Sequence, residues 1–324
     1  MKKETLPKIL KSSAILIGLI VLVVFFAIVT KGQSITLRNL KLILGQSIIL
    51  MLVSTGVFFV MTLGCMDFSV GANLALSCYV MAKVSTVNIP LGIILTLVTG
   101  LIIGCWNGVI HAKLKLPSFL VTLSTMYILN GLVIQLTASE PVPVPFELFK
   151  LDEFAFKIPL LFVVLFIAYY LFRYTRFGSD CRMIGAGETA AIYSGIDVDK
   201  VKIQAFCIAG VLASLAGFMN GIRTGAASAN AGSDMPFNVL IALVIGGLPS
   251  GGGAKSRFSA PVIGSILISV LSNGLVLINL APMVQNLVKG IIFIVLIIIM
   301  AEKQMPKFLH KKTIGVLAEE KLSQ

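Results

Sequence analysis

Side chains that could do chemistry are few in this sequence, and their spacing indicates hydrogen bonding rather than catalysis. One acid, Asp67, lies in the segment Gly64–Gly71 between two long apolar runs. Polar groups at membrane depth are costly unless they are paired or border water. Asp67 therefore either caps the helix that follows it or lines a solute pathway. Most amides in membrane helices bond to one another between helices. Four amides are nevertheless pathway candidates beside Asp67: Asn73, Asn107, Asn130 and Asn273.

The chain has no arrangement typical of an active site, a metal centre or a nucleotide-binding site. Its five cysteines are scattered without a CxxC motif and its histidines number two, so we predict neither a disulfide framework nor a metal site. It lacks both a Ser-His-Asp arrangement and the phosphate-binding GxxxxGK[ST] pattern. The glycine-rich stretch 246–255 is interpreted as a tight turn that needs positive φ. The sequence thus predicts a non-enzymatic protein with no cofactor, no catalytic residue and no metal.

Composition identifies the class of protein that must position these groups. Of 324 residues, 57% are apolar and 12% are charged, whereas soluble domains contain about 25% charged residues. The mean hydropathy is +0.99. These values exclude a soluble enzyme, a disordered protein and a nucleic-acid-binding protein. They predict an all-α, polytopic integral membrane protein that forms one transmembrane domain over residues 1–324 and contacts the lipid bilayer but no nucleic acid.

About ten transmembrane helices are predicted from the apolar runs and the residues that interrupt them. The segments 70–86, 158–172 and 236–250 are short for a membrane span, so we interpret them as broken or tilted helices. Eight or nine spans remain alternatives. The ten predicted spans lie near 12–30, 42–63, 70–86, 90–111, 117–136, 158–172, 203–222, 236–250, 258–280 and 284–301.

The positive charges predict the orientation of these spans. With ten spans and the N-terminus inside, 18 of the 26 basic residues lie on the inner side, as expected for cytoplasmic segments. We therefore predict a multi-pass protein of the bacterial cytoplasmic membrane, with both termini and a tail of about 302–324 in the cytoplasm. Spans two to five and seven to ten have similar lengths, and Asn107-Gly108 and Asn273-Gly274 recur late in the third helix of each set. This pattern predicts inverted repeats.

The connection at about 173–202 is too long to be a simple turn and should have structure of its own. Within it, residues 188–195 predict a two-turn helix, with Glu188 favourable to the helix dipole and Gly195 suited to a left-handed end. Ala190, Ala191 and Ser194 give this helix a face of small side chains that another protein could approach closely. A solvated amphipathic loop is the alternative. Asp197 or Asp199 is expected to cap the next helix.

Several segments, in order, resemble the bacterial ABC sugar-permease family of the ribose, galactose and xylose type, which is related to branched-chain amino acid permeases. The resemblance covers about residues 40 to 300. It is carried by GCMDFSVGANLAL at 64–76, Asn107-Gly108 followed by LPSFLVTLSTM at 116–126, TRFG at 175–178 with Ile184-Gly185, Ala190-Ala191 and Ser194–Ile196, and by Val244–Gly247, Ile263-Gly264 and SNGL at 272–275.

The resemblance implies a homodimer of permease subunits that imports a small sugar delivered by an extracytoplasmic solute-binding protein. A separate cytoplasmic ATPase would supply the energy. The residues expected to contact that ATPase are Gly185, Glu188, Ala190, Ala191, Ser194 and Gly195. Solute selection is expected to belong mainly to the binding protein. Alternatives are a permease of the same family for nucleosides, amino acids or an autoinducer, an ion-coupled secondary transporter, or a purely structural membrane subunit.

Overall fold

A computed structural model describes residues 6–138 and 140–302 and shows a mostly helical protein. A two-stranded antiparallel sheet pairs β1 (Val142–Pro143) with β2 (Ala226–Ala227), and 3₁₀ turns occur at Gln33–Ile35 and Phe146–Asp152. The α-helices are α1 (Leu6–Val29), α2 (Leu37–Thr62), α3 (Val70–Val84), α4 (Ile89–Leu114), α5 (Ser118–Thr137), α6 (Phe154–Tyr174), α7 (Arg176–Ala186), α8 (Glu188–Tyr193), α9 (Val198–Thr224), α10 (Met235–Ile245), α11 (Ser259–Leu277) and α12 (Pro282–Glu302).

The chain divides into one unit that ends at Ile278 and another that begins at Asn279 and contains α12. The single permease domain over 1–324 stays a prediction. The predicted tail, beyond Glu302, lies outside the described residues.

The helices confirm an all-α membrane protein. Within the described residues, six helices are long and apolar enough to cross a bilayer: α2, α4, α5, α6, α9 and α11. Four shorter apolar helical segments lie at Gly18–Val29, Val70–Val84, Met235–Ile245 and Pro282–Val295. Each predicted span overlaps one of these ten segments, while the count of ten crossings stays a prediction.

The expectation of a short sixth span was wrong. Helix α6 has 21 residues and begins at Phe154, four residues before the predicted boundary. Lys157 ended the apolar run in the sequence, but in the structure its ammonium pairs with Asp152 and lies buried within the first turns. A charged side chain that is paired with an opposite charge can be accommodated in a membrane-spanning helix. The other two segments predicted to be short form α3 and α10, which have 15 and 11 residues.

The connection between α6 and α9 has structure of its own, as its length predicted. It contains α7 and α8, and α8 ends at Tyr193, two residues before the predicted boundary. Gly195 has φ +80°, Gly195 N–H donates to Ile192 O and Ile196 N–H donates to Ala191 O. These bonds form a Schellman motif, which confirms the left-handed end at Gly195. The N-cap at Asp197 is also confirmed, because its carboxylate accepts from Lys200 N at 3.1 Å.

Helix α9 packs against α2, α3 and α4 in the centre of the first unit. Its closest neighbour is α4, whose Gly100, Gly104 and Gly108 recur every fourth residue. A Cβ at Gly104 would overlap Phe206 O, and one at Gly100 would overlap Gly210 O. Small residues at this spacing allow two helix backbones to touch inside a membrane.

The packing has an internal symmetry that the predicted repeats would explain. Helices α2 to α5 and α9 to α12 share an order of long, short, long and long elements. Helix α4 packs on α9, and its counterpart α11 packs on α2, while α2 and α9 pack on each other. This reciprocal arrangement supports the repeats, whose inverted orientation stays a prediction.

Candidate functional site

The turn between α2 and α3 holds Asp67 in a defined position. Gly64, at φ +79°, ends α2 and reverses the chain. Asp67 is buried, and its Oδ1 accepts from Ser69 N at 2.9 Å and from Ser69 Oγ at 2.6 Å. Because Ser69 directly precedes α3, the carboxylate lies at the positive end of this helix, where it stabilises the turn. Both bonds are to Ser69 and neither is to the first N–H groups of α3, so the choice between helix capping and a place in the pathway stays a prediction.

A chain of buried hydrogen bonds continues from Ser69 into two other helices. Asn107 Nδ2 donates to Ser69 Oγ at 2.8 Å, and Thr125 Oγ1 donates to Asn107 Oδ1 at 2.6 Å. We call Asp67, Ser69, Asn107 and Thr125 the polar network. It connects α3, α4 and α5, and each member satisfies a group that would otherwise be buried without a partner.

Helix α5 also binds the backbone of the same turn. Met66 N–H donates to Ser118 Oγ at 3.0 Å, and Phe68 N–H donates to Thr122 Oγ1 at 3.1 Å. The first two turns of α5 therefore fix the turn between α2 and α3 from one side.

The N-terminus of α3 also meets the N-terminus of α10, next to the turn between α2 and α3. Gly71 and Gly232 are in backbone contact, since a Cβ on either would overlap the carbonyl oxygen of the other. The rings of Phe68 and Phe237 lie edge to face, 6.1 Å apart. We call this contact the half-helix junction. Helices of 15 and 11 residues are about 22 and 16 Å long. Each is shorter than the ~30 Å apolar core of a bilayer, as in transporters whose broken helices meet inside the membrane.

Two acids flank the half-helix junction. Asp67 precedes α3 and Asp234 directly precedes α10. Asp67 is buried, whereas Asp234 and the nearby Phe237 are exposed on the surface of the unit. The junction therefore combines two helix N-termini, two carboxylates and aromatic rings.

The predicted pathway residues lie in different environments, and their role in transport stays a prediction. Asn73 is buried, donates to Gly210 O at 3.1 Å and accepts from Ser77 Oγ. Asn273 forms a reciprocal amide pair with Asn39, at 2.8 and 2.9 Å. Together with Asn107 these amides bond helices to one another. Asn130, on α5, is partly exposed.

Helix α8 is attached to α9 and presents apolar side chains to the surroundings. Glu188 Oε1 binds Lys202 Nζ at 2.8 Å, with Lys202 largely buried. Ala191 is buried, while Ala190 and Ser194 are exposed. The most exposed large side chains of α8 are Ile192 and Tyr193, at 56% and 88% of their accessible area.

The end of α7 lies directly on the end of α2. A Cβ at Gly185 would overlap Thr62 O, and Gly253 N–H donates to that same carbonyl oxygen at 2.9 Å. The glycine-rich stretch has the predicted positive φ, at Gly247, Gly252 and Gly253. Since Gly64 follows Thr62 by two residues, α7 contacts the segment that leads into the polar network.

Cys181 lies inside α7 and is fully buried. Burial raises the pKa of its thiol above the usual value, and the neighbouring Asp180 carboxylate raises it further. The sequence places Cys181 in a basic segment and favours a small buried or reduced residue. The burial is confirmed, because the short helix α7 turns this side chain inward.

Four exposed residues near these features were not found from the sequence: Ile192, Tyr193, Asp234 and Phe237. A usable signal existed for two of them, because Asp234-Met235-Pro236 before an apolar run is typical of a helix start. For Ile192 and Tyr193 the sequence analysis named only the small residues beside them, of which Ala190 and Ser194 are exposed and Ala191 is buried.

Comparison with known proteins decides the family. A family described as "Branched-chain amino acid transport system / permease component" matches residues 39–300. The chain belongs to this permease family. The match includes the polar network, the half-helix junction and α7 to α9, so these features lie within the shared part of the permease.

Curated relatives match the permease over most of its length. The ribose import permease protein RbsC of Escherichia coli K12 is 32% identical, over 89% of this chain and 94% of the relative. RbsC of Bacillus subtilis 168 is 33% identical, over 89% and 92%. The D-allose transport system permease protein AlsC of Escherichia coli K12 is 30% identical, over 84% and 86%. No solved structure matches the chain.

Proposed function

We propose that this permease is the membrane-spanning subunit of an ATP-driven importer for a small neutral sugar. The observation that carries the proposal is the similarity, over about nine tenths of the chain, to ribose import permeases of two distant bacteria. A permease named for allose transport adds a second sugar of similar size. Ribose and related sugars are therefore the first solutes to test.

The half-helix junction supports a neutral solute. The N-terminus of a helix carries about half a positive charge and attracts anions. Here a carboxylate lies beside each of the two N-termini, at Asp67 and at Asp234. These acids offset the positive potential and disfavour a solute with a free carboxylate, while backbone groups can still bond to hydroxyl groups. Asp67 and Asn107 would act mainly by holding this region in shape. Asn73 would act by bonding α3 to α9, and Asn273 by pairing with Asn39 near the start of α2.

A separate cytoplasmic ATPase would drive the permease through α8. The exposed Ile192 and Tyr193 offer the apolar contact, and Glu188, Ala190, Ser194 and Gly195 surround them. Ala191 would support the contact from inside. Movement of α8 would reach α9 through the Glu188–Lys202 ion pair and reach α2 through the contact of Gly185 with Thr62.

The remaining partners follow from the same mechanism. Two copies of the permease would enclose the solute path, and an extracytoplasmic binding protein would deliver the sugar on the opposite side from α8. This orientation places both termini in the cytoplasm. It is supported by the basic residues of 173–202, which are typical of a cytoplasmic segment.

Uptake by proteoliposomes tests the function. The permease is reconstituted with a candidate ABC ATPase and a candidate sugar-binding protein from the same organism. Uptake of labelled ribose, allose, xylose and leucine is measured with ATP or ADP inside. We expect ATP-dependent uptake of a sugar that requires the binding protein. Uptake of leucine alone would contradict the solute class. Uptake that survives without ATP but stops when the ion gradient collapses would identify a secondary transporter instead.

A further inference from the structure

A basic cavity lies at the C-terminal end of α6, away from the half-helix junction and from the exposed tip of α8. Its volume is about 510 Å³. Three arginines from three different segments line it: Arg173 from α6, Arg182 from α7 and Arg257 from the loop before α11. Guanidinium groups that converge from separate elements are suited to an anion with several oxygen atoms.

The other described residues that line this cavity are uncharged. They are aromatic or small side chains. Asp180, the acid of α7, is not among them. The three positive charges are therefore not neutralised by a carboxylate in the wall. Low-dielectric walls around charges of one sign focus the potential and raise the local concentration of the opposite ion.

Ser256 gives a second, independent indication of a ligand. It lines the cavity and is 7% exposed, and its Oγ has no hydrogen-bond partner among the described residues. A buried hydroxyl without a partner is unfavourable and calls for an explanation such as an absent ligand. The Oγ atom is itself buried, so a rotation of the Ser256 side chain would let the hydroxyl donate a hydrogen bond to an anionic oxygen in the cavity.

Arg182 is held in place before any ligand binds. Its Nη1 donates to Phe172 O at 3.2 Å, and its guanidinium stacks 4.8 Å from the centre of the Phe172 ring. Phe258 packs against the same ring and against Tyr169. The fixed guanidinium loses less conformational freedom when an anion binds, which favours binding.

The position on α6 favours a lipid as the source of the anion. This helix leaves Phe162, Phe166 and Tyr170 more than half exposed, at 69%, 70% and 53%, as expected for a surface that faces acyl chains. Tyr169, Tyr170 and Tyr174 cluster at the end that carries the cavity, and tyrosines are enriched at the level of the lipid headgroups.

We propose that the Arg173–Arg182–Arg257 cavity binds the phosphate of an anionic phospholipid headgroup. Lipid bound here would contact α6, α7 and the loop that precedes α11. The same loop carries Gly253, which bonds to the end of α2, so an occupied cavity would stabilise the contact between α7 and α2. The inference depends on membrane insertion of α6 and not on the identity of the transported solute.

Native mass spectrometry of the full-length permease, released from nanodiscs, tests the proposal. The discs contain phosphatidylcholine with phosphatidylglycerol or cardiolipin. The test variant combines Arg173→Gln with Arg257→Gln, and the matched control combines Lys115→Gln with Lys200→Gln, two exposed lysines outside the cavity wall. We expect retention of anionic lipid to fall about fivefold for each arginine removed and to change little in the lysine variant. Ser256→Ala should weaken retention several-fold at constant net charge.

Two further measurements separate this site from its alternatives. Inorganic phosphate and glycerol 3-phosphate are added as soluble competitors, and association of the ATPase is measured by pull-down for each variant. Equal losses in the arginine and lysine variants, or no loss in either, would overturn the proposal. Displacement of lipid by inorganic phosphate at lipid-like concentrations would assign the cavity to a soluble anion. Loss of ATPase association with unchanged lipid retention would assign it to protein docking.

Discussion

At the scale of single residues, each of the four buried side chains of the polar network has a hydrogen-bond partner in the network. The polar network connects three helices through side chains that the sequence separates widely. A hydrogen bond in a folded protein contributes modestly to stability, but a buried group that loses its partner keeps its full desolvation cost. Asn107 connects the other helices of the network, because it donates to Ser69 and accepts from Thr125.

We expect Asn107→Ala to lower the free energy of unfolding by about 1–3 kcal/mol. The substitution leaves the hydroxyls of Ser69 and Thr125 without their shared partner in a buried position. The thermal unfolding midpoint of the purified protein in detergent measures the effect. Asn130→Ala is the matched control, since Asn130 is partly exposed, and it should change the midpoint little. Equal shifts in both variants would mean that the network does not stabilise the fold.

The ion pair between Glu188 and Lys202 gives a second prediction at this scale. Lys202 is largely buried and Glu188 is about half exposed, so Glu188→Lys places two like charges against each other. We expect this variant to insert in the membrane but to lose most of its ATP-dependent uptake. The double variant Glu188→Lys with Lys202→Glu should recover uptake, because the pair is restored in reverse. A double variant as inactive as the single one would show that the charge pair does not attach α8.

At the scale of elements, backbone contact between helices decides the architecture. The α4–α9 contact depends on three glycines spaced four apart, and in water-free surroundings such contacts replace the hydrophobic effect as a source of stability. The half-helix junction uses the same principle at Gly71 and Gly232. Both contacts leave no room for a methyl group.

We expect Gly104→Ala to destabilise the permease by about 1–3 kcal/mol, because its Cβ would overlap Phe206 O and force α4 and α9 apart. Gly131→Ala, on α5, is the control: a Cβ there has no neighbour within 4 Å, and alanine favours a helix. It should leave stability unchanged or raise it slightly. The measurement is again the unfolding midpoint, together with uptake activity. A Gly104→Ala variant as stable as the wild type would contradict the close packing of α4 on α9.

At the scale of the whole molecule, the proposed orientation places α8 and the turn between α3 and α4 on opposite sides of the membrane. Tyr193 and Val87 are 88% and 87% exposed, so a cysteine at either position can react with a reagent. Tyr193→Cys should react with a membrane-impermeant maleimide only in inside-out vesicles, and Val87→Cys should react in intact cells. The native Cys181 is a poor reporter because it is buried. Labelling of Tyr193→Cys in intact cells would reverse the orientation and remove the basis for ATPase docking at α8.

The positions of the helices and of several turns could be inferred from the sequence, because they depend on residues that are close together in the chain. The cost of transferring polar groups into lipid made the apolar runs identifiable as helices, although the buried Lys157–Asp152 pair hid the first turns of α6. The requirement for positive φ identified Gly195 and the glycine-rich stretch. Residue type limited the N-cap of α9 to Asp197 or Asp199, and the structure selects Asp197.

The sequence by itself determined that this protein is an all-α membrane permease, and the order of its motifs indicated the family. Only the tertiary structure decided which helices touch: that the glycines of α4 face α9, that α3 and α10 meet at Gly71 and Gly232, and that Ile192 and Tyr193 rather than Ala191 face outward. The physical reason is that a span depends on the hydration of some twenty consecutive residues. A contact depends on two surfaces far apart in the chain, and no single segment records the shape of its partner.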